Sequence, residues 1–221
     1  MARLTNWIVC VCAALAPMAT AASLTVRTGE TEITVATATG EGGNPVEGKI
    51  TAGRVVFTPL KTDDSLDVKL YLKDGRQVRL IDTSPPGPAR AAPAPMSDDD
   101  KSAIADFLAQ AKATARQVRF VSFNGDASKA AAVVELVGDK SAAPPGGNDL
   151  LWRVELWRFE KTAAGWVRPD HLIRPLEKER FDTVDALKTK RAGTFFIGVP
   201  SGLRVEKGEN TQLALPPVPA K

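Results

Sequence analysis

Few residues in this chain have the type and spacing to do chemistry. GNPVEGKIT (43–51) comes within one residue of the phosphate-cradling pattern G-x-x-x-x-G-K-[ST]. Gly43, Gly48 and Lys49 are correctly spaced, but Ile50 stands where Ser or Thr would hold magnesium. A working loop of this kind lies between a strand and a helix whose N-terminus completes the anion site. The residues after Lys49, ITAGRVVFTPL, are rich in β-branched side chains and broken by Gly53 and Pro59. No helix starts there, so the stretch reads as a connection between strands.

Two further candidates reduce to structural roles. His171 is the only histidine, too few for a histidine-built metal site. Its neighbour Asp170 would point to the opposite side of a strand. Asp98-Asp99-Asp100 could be taken for a metal cluster, but a position at a helix start gives the acidic run an electrostatic reason of its own.

The most specific feature is the aromatic and arginine pattern from Trp152 to Arg168. Strand alternation puts Trp152 with Val154 and Leu156, and puts Trp157 and Phe159 on the other face. Large aromatics on both faces must be buried twice, by the Ser97 helix and by the C-terminal segment, or else displayed on one side. In the second case Trp157, Phe159 and Trp166, flanked by Arg153, Arg158 and Arg168, form a binding surface, since Trp and Arg anchor interfaces.

These residues need elements to hold them. Residues 24–83 read as strands, with Ile33 and Val35 alternating with polar neighbours. The clearest unit is LDVKLYLKDGRQVRLI (66–81), where Leu66, Val68, Leu70 and Leu72 share one face and Asp74-Gly75 makes the tight hairpin turn. SPPGPARAAPAP (84–95) holds five prolines in twelve residues and reads as a linker. Ser97 caps a helix with Asp100 at the capping-box position, and Ile104, Phe107, Leu108, Ala111 and Ala115 form its apolar stripe. Strands follow at 118–123, 131–137, 150–159 and 165–167, with Val118, Phe120 and Ser122 placed on one face. Asp182 is placed to cap a short helix ending before Gly193, and short strands close the chain at 194–199, 203–205 and 212–215. The fold class expected is α+β, mainly antiparallel: an all-β unit (22–84), a Pro/Ala-rich linker (85–96), a helix packed on an antiparallel sheet (97–215) and a disordered tail (216–221).

The helix followed by VRFVSFNGDASKAAAVVELV and LLWRVELWRFEKTAAGWVR resembles the curved sheet of cystatin-like and nuclear-transport-factor-2-like domains. Glu160 to Trp166, a charged turn ending in Gly-Trp, carries part of that likeness, which covers about 97–170. The resemblance implies a concave sheet backed by a helix, a shape used for binding and assembly as well as catalysis. The His and Asp pairs of catalytic members have no counterpart here, so no functional residue carries over.

The N-terminus carries an address. Arg3, the apolar run Ile8–Ala16 and the small-residue site Ala19-Thr20-Ala21 match a secretory signal (1–21), with the mature chain starting at Ala22 or Ser23. The apolar run is too short for a membrane span, which needs about 20 residues. Cys10 and Cys12 lie inside the signal, so the mature chain has neither a disulfide nor a cysteine nucleophile. The net charge of +3, with Arg3 the only signal residue contributing, favours neither nucleic acid nor an acidic membrane surface. The expectation is a periplasmic or secreted, non-enzymatic binding or accessory protein of the cell envelope, whose partner is another envelope protein or polymer. No cofactor or metal is expected, and no stable membrane span after signal cleavage. The alternative is a metal-independent hydrolase or lyase acting on envelope polymers through paired carboxylates.

Overall fold

Leu66, Val68, Leu70 and Leu72 are each no more than 5% exposed, as the alternation along 66–81 requires. They lie in and beside β6 (Asp67–Leu72), which pairs with β7 (Gln77–Asp82). The turn is longer than the expected two-residue type: the Leu72 N–H donates to the Arg76 carbonyl at 2.9 Å, and of the two central residues only Gly75 has a positive φ, +85°. The computed structural model containing this hairpin describes residues 22–27, 32–40, 44–60, 66–83, 94–140, 150–199 and 210–214. The signal segment, most of the Pro/Ala stretch (84–93), the 141–149 loop, the 203–205 strand and the 216–221 tail lie outside the described residues.

The chain is α+β and mainly antiparallel. One sheet runs β14 (Asn210–Ala214), β1 (Ala22–Arg27), β5 (Arg54–Leu60), β4 (Lys49–Thr51). A second runs β13 (Thr194–Val199), β7, β6, β2 (Ile33–Thr39), β3 (Val46–Glu47). They share one core, in which Leu24, Val26, Val55, Phe57, Val68, Leu70 and Leu80 are sealed from water. Ile33 and Val35 do not alternate as expected. A register shift between them leaves Val35 exposed and turns Ala36 inward, because one extra residue in a strand flips the faces that follow.

Gly48 answers the question raised by the phosphate-like pattern. It joins β3 in one sheet to β4 in the other, with its N–H on the Ala36 carbonyl at 2.8 Å. A Cβ there would stand 2.5 Å from Val55 Cγ1, so only glycine lets the chain change sheets at this depth. Lys49 and Thr51 follow in a strand and are exposed.

The third sheet runs β8 (Gln117–Gly125), β9 (Lys129–Val137), β10 (Leu151–Thr162), with β11 (Gly165–Val167) and β12 (Ile173–Arg180) both paired to β10. α1 (Asp98–Thr114) covers one face, where Ile104 and Ala111 meet Ala132, Val134, Leu136, Trp157 and Phe159. α2 (Val184–Gly193) and residues of β7 and β13 cover the other, where Leu187, Ile81 and Phe196 meet Val133, Trp152, Val154 and Leu156. Both aromatic faces of β10 are therefore core. β9, buried at nearly every position, is the strand sandwiched between the two layers.

Three local details differ from expectation. Ser122 leaves the face of Val118 and Phe120 at a register shift and packs where a side chain at Gly198 would collide with it. Thr183, not Asp182, caps α2: its hydroxyl accepts the Ala186 N–H at 3.2 Å. β12 has no alternating pattern in IRPLEKER and carries Pro175, which the sheet tolerates at a register shift of this outer strand.

The chain closes on itself. β13 runs parallel to β7 and β14 parallel to β1, so two strands expected with 97–215 extend the sheets of 22–84. Ion pairs cross the same junction: Arg79 with Glu177, and Arg174 Nη2 with Asp67 Oδ1 at 2.8 Å.

Candidate functional site

The α1 face of β10 carries Arg153, Glu155, Trp157 and Phe159 in strict alternation. α1 begins over the far end of this row. Ser97 caps it by accepting the Asp100 N–H at 3.2 Å, and its hydroxyl donates to Asp100 Oδ2 at 2.8 Å. Asp100 Oδ1 accepts Lys161 Nζ at 2.7 Å and Trp166 Nε1 at 2.8 Å. The last residue of the acidic run is thus a clamp that pins the helix start to β10 and β11. Those hydrogen bonds, from Lys161 first and then Trp166 and Ser97, hold the Asp100 carboxyl well below the usual carboxylate range. Phe159 lies beneath the helix with its ring 5.3 Å from Phe107.

Toward its C-terminal end α1 leaves a cleft of about 330 Å³. Gln110, Ala111 and Thr114 form the helix wall, Leu136 and Trp157 the apolar floor, and Arg153, Glu155 and Arg168 the charged lining. Arg168 lies over the Trp157 ring, 4.3 Å from its centroid. Glu155 accepts Trp157 Nε1 at 2.7 Å and faces Arg153 Nη1 at 3.5 Å. The buried Nε–H groups of Arg153 and Arg168 meet no acceptor. No carboxylate among the described residues pairs with Arg168. Two carbonyls of the last α1 turn are occupied, Lys112 O by Lys140 Nζ at 2.6 Å and Thr114 O by the Lys140 N–H at 2.8 Å.

Of the six residues expected to form a binding surface, the cleft brings together three: Arg153, Trp157 and Arg168. Phe159 and most of Trp157 are core rather than displayed, being 1% and 3% exposed. Trp166 belongs to the Asp100 clamp, and Arg158 falls on the opposite face with Leu156. Sequence reasoning missed Glu155, although it lies two residues from both Arg153 and Trp157 and so shares their face. Gln110, Thr114 and Leu136 carried no signal, because their place depends on how far α1 reaches along the sheet.

A second hollow of about 230 Å³ lies on the other face, lined by Arg116, Val184, Leu187, Lys188 and Arg191. Its cations serve the fold: Arg191 holds Glu135 at 2.7 and 2.9 Å, and Lys188 lies 3.9 Å from Asp185. His171 sits exposed in a single 3-10 turn, Asp170–Leu172. Among the described residues no three His, Cys, Asp or Glu side chains come together, and no helix is long and apolar enough to cross a membrane.

Comparison with known proteins finds no matching family model, no matching curated protein and no matching solved structure. The functional reading rests on the cleft.

Proposed function

We propose that this is an exported binding or accessory protein of the cell envelope, without enzymatic activity, built as a small β unit and a helix-backed sheet. The signal-like sequence at 1–21 supports export, and the cleft under α1 supports binding. One observation carries the reading: a concave site joins an apolar floor to two guanidinium groups, one of them without a carboxylate partner among the described residues. Such a combination of apolar wall and a few placed polar groups is the usual make-up of a ligand site.

The alternative, hydrolysis or elimination on an envelope polymer, calls for two carboxylates roughly 5–9.5 Å apart across a cleft. Among the described residues Glu155 is the one carboxylate lining this cleft, and it is held by Trp157 and Arg153.

The test is capture from envelope extract by the mature chain, read by mass spectrometry, beside a Gln110→Trp variant. Gln110 is an exposed helix residue at the cleft wall, so the indole blocks the site without entering the core. Species retained by the wild type and lost by the variant support the reading. An identical set from both proteins sinks it.

A further inference from the structure

We infer that the cleft under α1 takes a small molecule with an apolar body and a single carboxylate. This rests on the reading of the cleft as the binding site and names what enters it.

Charge sets the first limit. The lining holds two arginines and one glutamate, a formal balance of one positive charge. Glu155 is already committed to Trp157 and, at 3.5 Å, to Arg153, so the uncompensated charge is that of Arg168. A monoanion restores neutrality, whereas a dianion would over-compensate in a half-enclosed site.

Geometry sets the second. The Arg168 guanidinium, 4.3 Å from the Trp157 ring centroid, has the indole face against it. With its Nε buried, the group has its terminal Nη N–H groups left for a planar acceptor, which arginine binds through two parallel hydrogen bonds. Gln110 adds a neutral hydrogen-bonding group on the helix wall, while the Thr114 hydroxyl is already donated to the Ala111 carbonyl at 3.0 Å. The negative end of the α1 dipole, which would repel an anion, is countered by Lys140 on the Lys112 and Thr114 carbonyls. Leu136, Ala111 and the remaining edge of Trp157 supply the apolar contact for the body.

Volume sets the third. About 330 Å³ is at the lower end of the range for small-molecule pockets, enough for one ring and a carboxylate but not for a polymer segment.

The experiment is calorimetric titration of the mature chain with four probes of one shape: benzoate, phenyl phosphate, benzyl alcohol and benzylammonium. Benzoate is expected to bind at least tenfold more tightly than the alcohol or the amine. Arg168→Met, which keeps an apolar cover on Trp157, is expected to weaken benzoate at least tenfold at unchanged melting temperature, with Arg168→Lys intermediate. Equal binding of benzoate and benzyl alcohol would overturn the inference, as would preference for phenyl phosphate or indifference to Arg168→Met. If benzoate fails at millimolar concentration while Gln110→Trp still abolishes capture from envelope extract, the carboxylate assignment falls and the cleft survives as a binding site. If both measurements fail, both readings fall.

Discussion

Trp152 and Trp157, five residues apart on β10, point into two different cores: Trp152 packs against Phe181 and Phe196, Trp157 against Phe120. Each indole N–H is satisfied by a glutamate, Glu135 for Trp152 at 2.8 Å and Glu155 for Trp157 at 2.7 Å. Replacing either by alanine opens a large void and removes one of the donors on a carboxylate that is already held by arginine. Both variants should lose roughly 3–5 kcal/mol of stability. Thermal melts run side by side check this; a Trp157→Ala protein as stable as wild type would mean that α1 does not cover that ring.

Glu135 ties α2 and β8 to the sheet, since it also binds Arg119 at 2.9 Å besides Arg191. Glu135→Gln should cost roughly 2–3 kcal/mol, less than for a wholly enclosed pair because both arginines keep contact with water. Equilibrium urea unfolding measures it, and a loss below half a kcal/mol on the order of a surface pair would show that the network is not holding α2.

The same carboxylates set the acid limit. Burial pushes the Glu135 carboxyl up, but the Arg191 and Trp152 hydrogen bonds and the Arg119 charge outweigh it, leaving it below its usual value. Asp100 is displaced the same way. A carboxyl whose folded pKa is depressed contributes its full stability above the unfolded value of about 4 and loses it as pH falls through the folded one. Unfolding midpoints should therefore be flat from about pH 6 to 8 and fall steeply below about pH 4. Asp100→Asn should flatten that acid limb. A variant that keeps the wild-type slope would remove Asp100 from the account.

Gly48→Ala should destabilise by about 1–3 kcal/mol, because the added methyl meets Val55 and Phe57 in the sealed core. Lys49→Ala, next to it on the surface, should change stability by less than about 0.5 kcal/mol. Chemical denaturation of the pair checks both, and equal effects would return the segment to a role other than packing.

Period and capping make much of this fold legible in the residues themselves. Leu66 to Leu72 alternate without a break, and Ser97 with Asp100 marks the start of α1. What escaped depended on contacts distant in sequence. β12 has a charged, proline-containing sequence that suits a strand whose outer edge meets no partner strand among the described residues, and only its pairing with β10 makes it a strand. The displaced faces at Val35 and Ser122 follow from register shifts that alternation cannot show. For the site, the arginines and Trp157 stood out by residue type. Their convergence did not, because it depends on how α1 lies along the sheet.

The parallel pairing of β14 with β1, and of β13 with β7, has a consequence for the order of events during synthesis. Delivered N-terminus first, the strands of the first two sheets emerge together but cannot complete their hydrogen-bonding edges until almost the whole chain has followed. Contacts this far apart in sequence are slow to form, since a very long loop must close before any of them is made. The antiparallel pairs β1–β5, β2–β6 and β6–β7 can form early, whereas the edges at β1 and β7 close late. β13 and β14 are thus late closures on strands made much earlier, and the edges of both sheets depend on them.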